Sequence, residues 1–182
     1  MEKSIIIGGF GGQGILFFGN ILAHAGMLEG REVTWFPSYG AEMRGGTANC
    51  TVIISDELIG CPVVTNPDIL IAMNDASLTR FQPKLKQNGI LLFDSSLING
   101  EAFREDIEAF GVPATETARK IGDTKSANMV LLGALIAKSG LVKKPSVFKA
   151  LESSISESKK KHIAGNKKAV AEGMKYIENK KS

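Results

Sequence analysis

The sequence predicts an α/β fold of three layers, with a mostly parallel sheet, mixed if a hairpin joins it, and a helical C-terminal part. Three observations carry this. Ile5-Ile6-Ile7, Ile69-Leu70-Ile71 and Ile90-Leu91-Leu92-Phe93 are short, continuously apolar runs, as expected of strands covered on both faces. Helical spacing fills several of the gaps between such runs, giving α/β crossover units. Beyond Thr117 only helical patterns remain.

The first strand enters five glycines spread over seven positions, Gly8, Gly9, Gly11, Gly12 and Gly14, and an apolar helical pattern leaves. Glycines let the backbone turn sharply and let a ligand approach main-chain N–H groups. The following helix points its positive dipole end and unpaired N–H groups at that place, which suits an anionic group. Gly9-x-Gly11-x-x-Gly14 also fits the dinucleotide fingerprint of Rossmann-like domains in its strand-turn-helix context. That fingerprint wants an acid about 20 residues on, at the end of the second strand. The second strand is predicted at Glu32-Val33-Thr34-Trp35-Phe36 and runs into Pro37-Ser38-Tyr39, while Glu29 and Glu32 lie before it. NAD is therefore disfavoured. No Gly-x-x-x-x-Gly-Lys-Ser/Thr occurs, which excludes a nucleoside-triphosphate P-loop. A tight turn holding no ligand is the alternative.

The first helix is predicted from Gln13 to Glu29, apolar almost all round and stopped by Gly30. Gly19 and Gly26 within it require a close neighbour, either the sheet or another chain. Next comes the connection Pro37 to Gly46, carrying Tyr39, Glu42 and Arg44. It is a functional loop near the glycine turn or a turn braced by a Glu42–Arg44 contact. Thr47 to Ile54 reads as a strand, and Leu58 to Val64 as a returning edge strand that would make the sheet mixed.

Asp68 to Met73 reads as a buried strand, Asn74-Asp75 as a cap for a helix from Ala76 to Phe81, and Ile90 to Phe93 as a strand ending in Asp94. Asn74 and Asp94 are plausible site positions and equally ordinary caps. Gly111 to Thr115 is predicted as the last strand and Thr117 to Ile121 as a short helix. Met129 to Ala137 is a helix apolar enough to be buried, stopped by Gly140; Pro145 opens another over Ser146 to Ser153. The C-terminal helix, about 157–179, sets Ile163, Val170, Met174 and Ile177 on one face and many lysines on the other. Such a lysine face is ordinarily solvated; docking to an acidic partner is the sharper alternative.

At 182 residues the chain is read as one domain, 1–182, with a full core. A net charge of +3 is too small to argue for nucleic acid. Cys50 and Cys61, eleven apart, form no Cys-x-x-Cys, so a reducing cytoplasm with two free thiols is the expectation. No signal peptide and no membrane span are expected.

Together, Gly8-Gly9-Phe10-Gly11-Gly12-Gln13-Gly14, Pro37-Ser38-Tyr39-Gly40-Ala41-Glu42-Met43-Arg44-Gly45-Gly46 and Asn128-Met129-Val130-x-Leu132-Gly133 resemble the gamma subunit of 2-oxoacid:ferredoxin (or acceptor) oxidoreductases. The form Tyr39 to Gly46 is most similar to the 2-oxoglutarate branch. The resemblance implies oxidative decarboxylation to an acyl-coenzyme A, here succinyl-CoA, and carbon dioxide, with electrons passing to ferredoxin or another acceptor. It also implies partners: alpha and beta subunits, with or without a ferredoxin-like delta subunit. Cluster ligation needs cysteines at short spacing, and Gly122-Asp123-Thr124 departs from the thiamine diphosphate motif. Thiamine diphosphate, magnesium and iron–sulfur clusters are thus expected in partner chains, and no catalytic or metal-ligating residue in this one. Coenzyme A is the expected ligand of this chain, because the homologous domain of related enzymes is associated with it. The candidate binding residues are Gly9, Gly11, Gly12, Gln13 and Gly14 for its pyrophosphate, with Arg44 adding charge and Asn128 lining the cleft. Tyr39 and Glu42 are candidates for the same cleft or for subunit docking. A free-standing dinucleotide-binding oxidoreductase and a purely structural assembly subunit are the alternatives.

Overall fold

The structure, a computed structural model, describes residues 1–38, 47–99, 103–154 and 162–181. Six strands form one sheet in the order β2-β3-β1-β4-β5-β6. They are β1 (Glu2–Phe10), β2 (Glu32–Ser38), β3 (Thr47–Ser55), β4 (Ile69–Ala72), β5 (Ile90–Asp94) and β6 (Glu108–Val112). The helices are α1 (Ile15–Leu28), α2 (Asp75–Phe81), α3 (Ala114–Lys120), α4 (Ala127–Ser139), α5 (Lys144–Ser154) and α6 (Ile163–Lys181). The predicted α/β class is therefore correct.

The sheet is mixed. β1, β4, β5 and β6 run parallel, while β3 pairs antiparallel with both β1 and β2. The antiparallel element is β3 itself, not the predicted strand Leu58–Val64, which adopts no strand conformation. Pro62 removes a ladder donor and Leu58 and Val63 point into solvent, so this segment has neither the hydrogen bonds nor the buried face of a strand.

Alternation in β1 sorts the two faces. Ile5 and Ile7 join the larger core with Ile69, Ile71, α1 and α4, whereas Ile6 joins Leu70, Ala72, Leu91 and Phe81 of α2. The helix after β1 and the helix after β4 thus cover opposite faces. Their departure points lie side by side at the carboxyl ends of two adjacent parallel strands. That is a topological switch point, where open α/β sheets place ligands.

Gly19 and Gly26 are explained by the sheet. A Cβ at Gly19 would lie 2.5 Å from Cys50 Sγ and 2.9 Å from Trp35 Nε1, and one at Gly26 would lie 3.0 Å from Val33. The other close approach joins α4 and α6. A Cβ at Gly133 would strike the Val170 carbonyl, and one at Gly173 the Val130 carbonyl. The buried helix predicted at Met129–Ala137 is α4, inaccessible to solvent from Met129 to Leu135.

The last strand is Glu108–Val112 rather than Gly111–Thr115, because Pro113 ends it and Ala114 already begins α3. Residues 157–161 of the predicted C-terminal helix lie outside the described residues, and α6 begins at Ile163. Among the described residues no helix is long and apolar enough to cross a membrane.

Candidate functional site

The glycine run is divided between strand and turn. Gly8 and Gly9 belong to β1, opposite Asn49 and Ala48 of β3. The turn proper is Gly11 to Gly14, with Gly12 at φ 98 and Gly14 at φ 76, a left-handed conformation that favours glycine at both. Gln13 holds it in place. Its Oε1 accepts from Phe10 N at 2.6 Å, and its Nε2 donates to Met73 O at 3.1 Å. One side chain thereby ties the turn after β1 to the end of β4. This also explains why α1 begins at Ile15 and not at the predicted Gln13: residue 13 is occupied in the turn.

Gly14 stands at the N-cap of α1. Its carbonyl accepts from Phe18 N at 2.9 Å and from Asn128 Nδ2 at 3.1 Å. A Cβ at Gly14 would collide with that Asn128 amide. Asn128 is 4% exposed and its Oδ1 accepts from Met129 N at 2.9 Å, so it lies behind the turn and its hydrogen bonds brace the turn from below. No side chain among the described residues caps α1, and its first turn contains no acid. The leading N–H groups of α1 and the positive end of its dipole are left for another acceptor. Gly11 and Gly12 are exposed, so an anion can approach.

Gly11, Gly12, Gln13, Gly14 and Asn128 are therefore brought together. Gly9 lies beneath them, where a Cβ would meet Gln13 Oε1 and Ile15 Cδ1, both at 2.6 Å. Tyr39, Glu42 and Arg44 lie outside the described residues. Sequence reasoning did not single out Met73, the carbonyl partner of Gln13, or Ser77, which packs against Gly8. A Cβ on Gly8 would come 2.8 Å from Ser77 Cβ. The only advance sign was the spacing Asn74-x-x-Ser77, a helix cap and its recipient. The predicted cap is present: Asn74 Oδ1 accepts from Ser77 N at 2.7 Å.

The two cysteines contribute no common site: Cys50 is buried and Cys61 exposed. Burial pushes the Cys50 thiol up to about 12, against smaller lowering effects of the Trp35 side chain and the Gly19 backbone. It is a core thiol. Among the described residues no cluster of His, Cys, Asp or Glu could hold a metal ion.

A mixed α/β sheet with a glycine turn and an uncapped helix N-terminus at its switch point defines a Rossmann-like domain. The chain belongs to the pyruvate ferredoxin/flavodoxin oxidoreductase family, whose pattern matches residues 4–176. It is 47% identical over 138 residues to the ketoisovalerate oxidoreductase subunit VorA of Methanothermobacter thermautotrophicus, a match covering 75% of this chain and 28% of that protein. The chain thus spans little more than a quarter of that longer relative. The 2-oxoglutarate synthase subunit KorC of Methanothermobacter marburgensis is 39% identical over 162 residues, covering 85% of this chain and 87% of KorC. Two solved structures share the fold. The gamma subunit of a keto/oxoacid ferredoxin oxidoreductase from Geobacter sulfurreducens superposes with a TM-score of 0.83 at 30% identity, over 97% of this chain and 99% of that one. The second is 2-oxoglutarate:ferredoxin oxidoreductase from Magnetococcus marinus, with 2-oxoglutarate, coenzyme A and succinyl-CoA bound. It matches with a TM-score of 0.87 at 26% identity, over 98% of this chain and 31% of that one. The resemblance to gamma subunits read from the sequence is correct.

Proposed function

We propose that the chain is the gamma subunit of a 2-oxoacid oxidoreductase complex and that its glycine turn holds the pyrophosphate of coenzyme A. The observation that carries the ligand is the left-handed turn Gly11–Gly14 opening onto the uncapped N-terminus of α1. Phosphate oxygens are acceptors only, and the leading N–H groups of α1 beside the turn are donors. Gln13 orients the turn, Asn128 supports it from the core side, and Arg44 adds a guanidinium from its place in the sequence. Tyr39 and Glu42 are assigned, likewise by sequence position, to the cleft rim or to subunit docking.

Decarboxylation and electron transfer belong to thiamine diphosphate and clusters in the alpha, beta and any delta partners. This chain binds and orients the acyl acceptor. 2-Oxoglutarate is the proposed substrate, supported by the likeness to KorC along nearly its whole length. The higher identity to VorA favours a branched-chain 2-oxoacid as the second reading. A reducing cytoplasm suits two free thiols.

Pull-down from the native host, with an absorbance scan and dye-reduction assays, tests the assembly. Recovery of larger chains with cluster absorbance and coenzyme-A-dependent dye reduction is expected. 2-Oxoglutarate should outperform 2-oxoisovalerate, and the reverse order would select the second reading. A chain recovered alone and carrying its own nicotinamide would overturn the subunit assignment. Amide shifts confined to Gly11–Leu16 on adding coenzyme A are expected of the full chain; none would remove the ligand.

A further inference from the structure

Past the end of β4 a buried hydrogen-bond donor has no partner. Asn74 is 4% exposed, and its Oδ1 is committed to Ser77 N as the cap of α2. Its Nδ2 is inaccessible to solvent and makes no hydrogen bond. Ser77, fully buried one turn on, has an equally unmet Oγ, and its side chain packs against the Gly8 backbone of β1. The two orphans therefore lie at the junction of β1 and β4, where Gln13 ties the glycine turn to Met73, the residue before Asn74.

Leaving a buried donor unmet costs about 1–3 kcal/mol, and native interiors almost always avoid it. Capping does not require the expense. Asp or Ser at position 74 would give α2 an equivalent acceptor with no stranded amide. The amide of Asn74 is surplus to the fold at the one place in the sheet where a ligand is expected.

We propose that Asn74 is a ligand-contacting residue whose Nδ2–H donates to an oxygen acceptor of the molecule held by the glycine turn. This rests on the reading of that turn as a coenzyme A site. The acceptor is a phosphate or an amide carbonyl oxygen, both of which that molecule carries. The donor is screened in the ligand-free chain, so the turn has to shift to engage it.

The test uses the full chain with coenzyme A as titrant in calorimetry, and thermal melts without ligand. Asn74→Asp and Asn74→Ser keep a capping oxygen and remove the amide; the serine variant adds no charge. Both should melt within about 2 °C of the parent and lose roughly tenfold or more in coenzyme A affinity. Affinities within about twofold of the parent would overturn the contact and leave the glycine-turn reading standing. A melting loss in both variants as large as that of Asn74→Ala would show the amide to be structural and also overturn it. A parent chain that binds no coenzyme A would remove the reading itself, and the contact with it.

Discussion

Two adjacent parallel strands each have a buried polar residue at or just past the carboxyl end, and the two residues behave differently. β5 ends in Asp94, fully buried, whose carboxylate accepts from Ser96 N, Ala114 N, Thr115 N and Thr115 Oγ. α3 has Pro113 at its N-cap, which offers no capping side chain, so Asp94 caps that helix from across the sheet. Its oxygens are consumed by its own chain. β4 leads into Asn74, which spends its oxygen on α2 and leaves its nitrogen unspent. A polar residue at a strand end therefore says only that a helix needs a cap. What remains after capping separates support from recognition.

The largest expected effect lies on the fully spent side. Asp94→Ala removes the acceptor of three backbone N–H groups, the buried Ala114 N–H among them, and of the Thr115 hydroxyl, and should cost about 4 kcal/mol. For a chain of this size that is a fall in Tm of roughly 8–16 °C, readable by calorimetry. A fall under about 2 °C would mean that water or a neighbour replaces the carboxylate, and the contrast between the two strand ends would collapse. Next comes Asn74→Ala, which loses the cap but also removes the stranded amide. The net loss should be about 1 kcal/mol or less, a fall in Tm of only a few degrees.

Much of this was legible in the sequence, and the limits have physical causes. Apolar runs predicted β1, β4 and β5 because strands buried on both faces tolerate no polar interruption. Asn74 was read as a cap because capping is local, acting across three residues. Asp94 as the cap of α3 was not legible, since donor and acceptor stand 20 residues apart and meet only through β5–β6 pairing. Leu58–Val64 misled because β-propensity is weak against a proline and a missing partner strand. The glycine turn was visible, but the division of labour among its glycines was not. Gly9 is covered by Gln13 and Ile15 while Gly12 has open space, and only tertiary packing distinguishes them.

The other end of β4 offers a smaller test. Asp68, just before the strand, accepts from Ser4 N at 2.9 Å and Ser4 Oγ at 2.7 Å and pairs with Lys86 at 3.1 Å. Burial opposes its ionisation, but the Ser4 hydrogen bonds and Lys86 outweigh burial and hold its pKa below the ordinary 3.8. A carboxylate depressed in the fold stabilises above its unfolded pKa, and that contribution is lost as pH falls through the folded value. Stability should therefore fall on acidification from the ordinary carboxylate range downward. Asp56, Asp106 and Glu116, also held low by cationic partners, contribute in the same direction. Asp68→Asn should be less stable at neutral pH and lose less on acidification, as paired denaturant titrations would show. An unchanged acid slope would place the sensitivity elsewhere, leaving the amino end of β4 irrelevant to the comparison.

The smallest effect is the most discriminating, because its sign matters more than its size. Ser77→Ala keeps the Cβ that packs on Gly8 and removes only a buried hydroxyl without a partner. Removing an unmet polar group from an interior is neutral or favourable, so Tm should hold or rise by about 1–2 °C. The same deletion at a satisfied hydroxyl, Thr115→Val beside Asp94, removes a bonded donor and should lower Tm rather than raise it. A fall of more than about 3 °C in Ser77→Ala would show that the hydroxyl is bonded in solution. The environment of Asn74 would then be as fully spent as that of Asp94, and the end of β4 would carry no more sign of recognition than the end of β5.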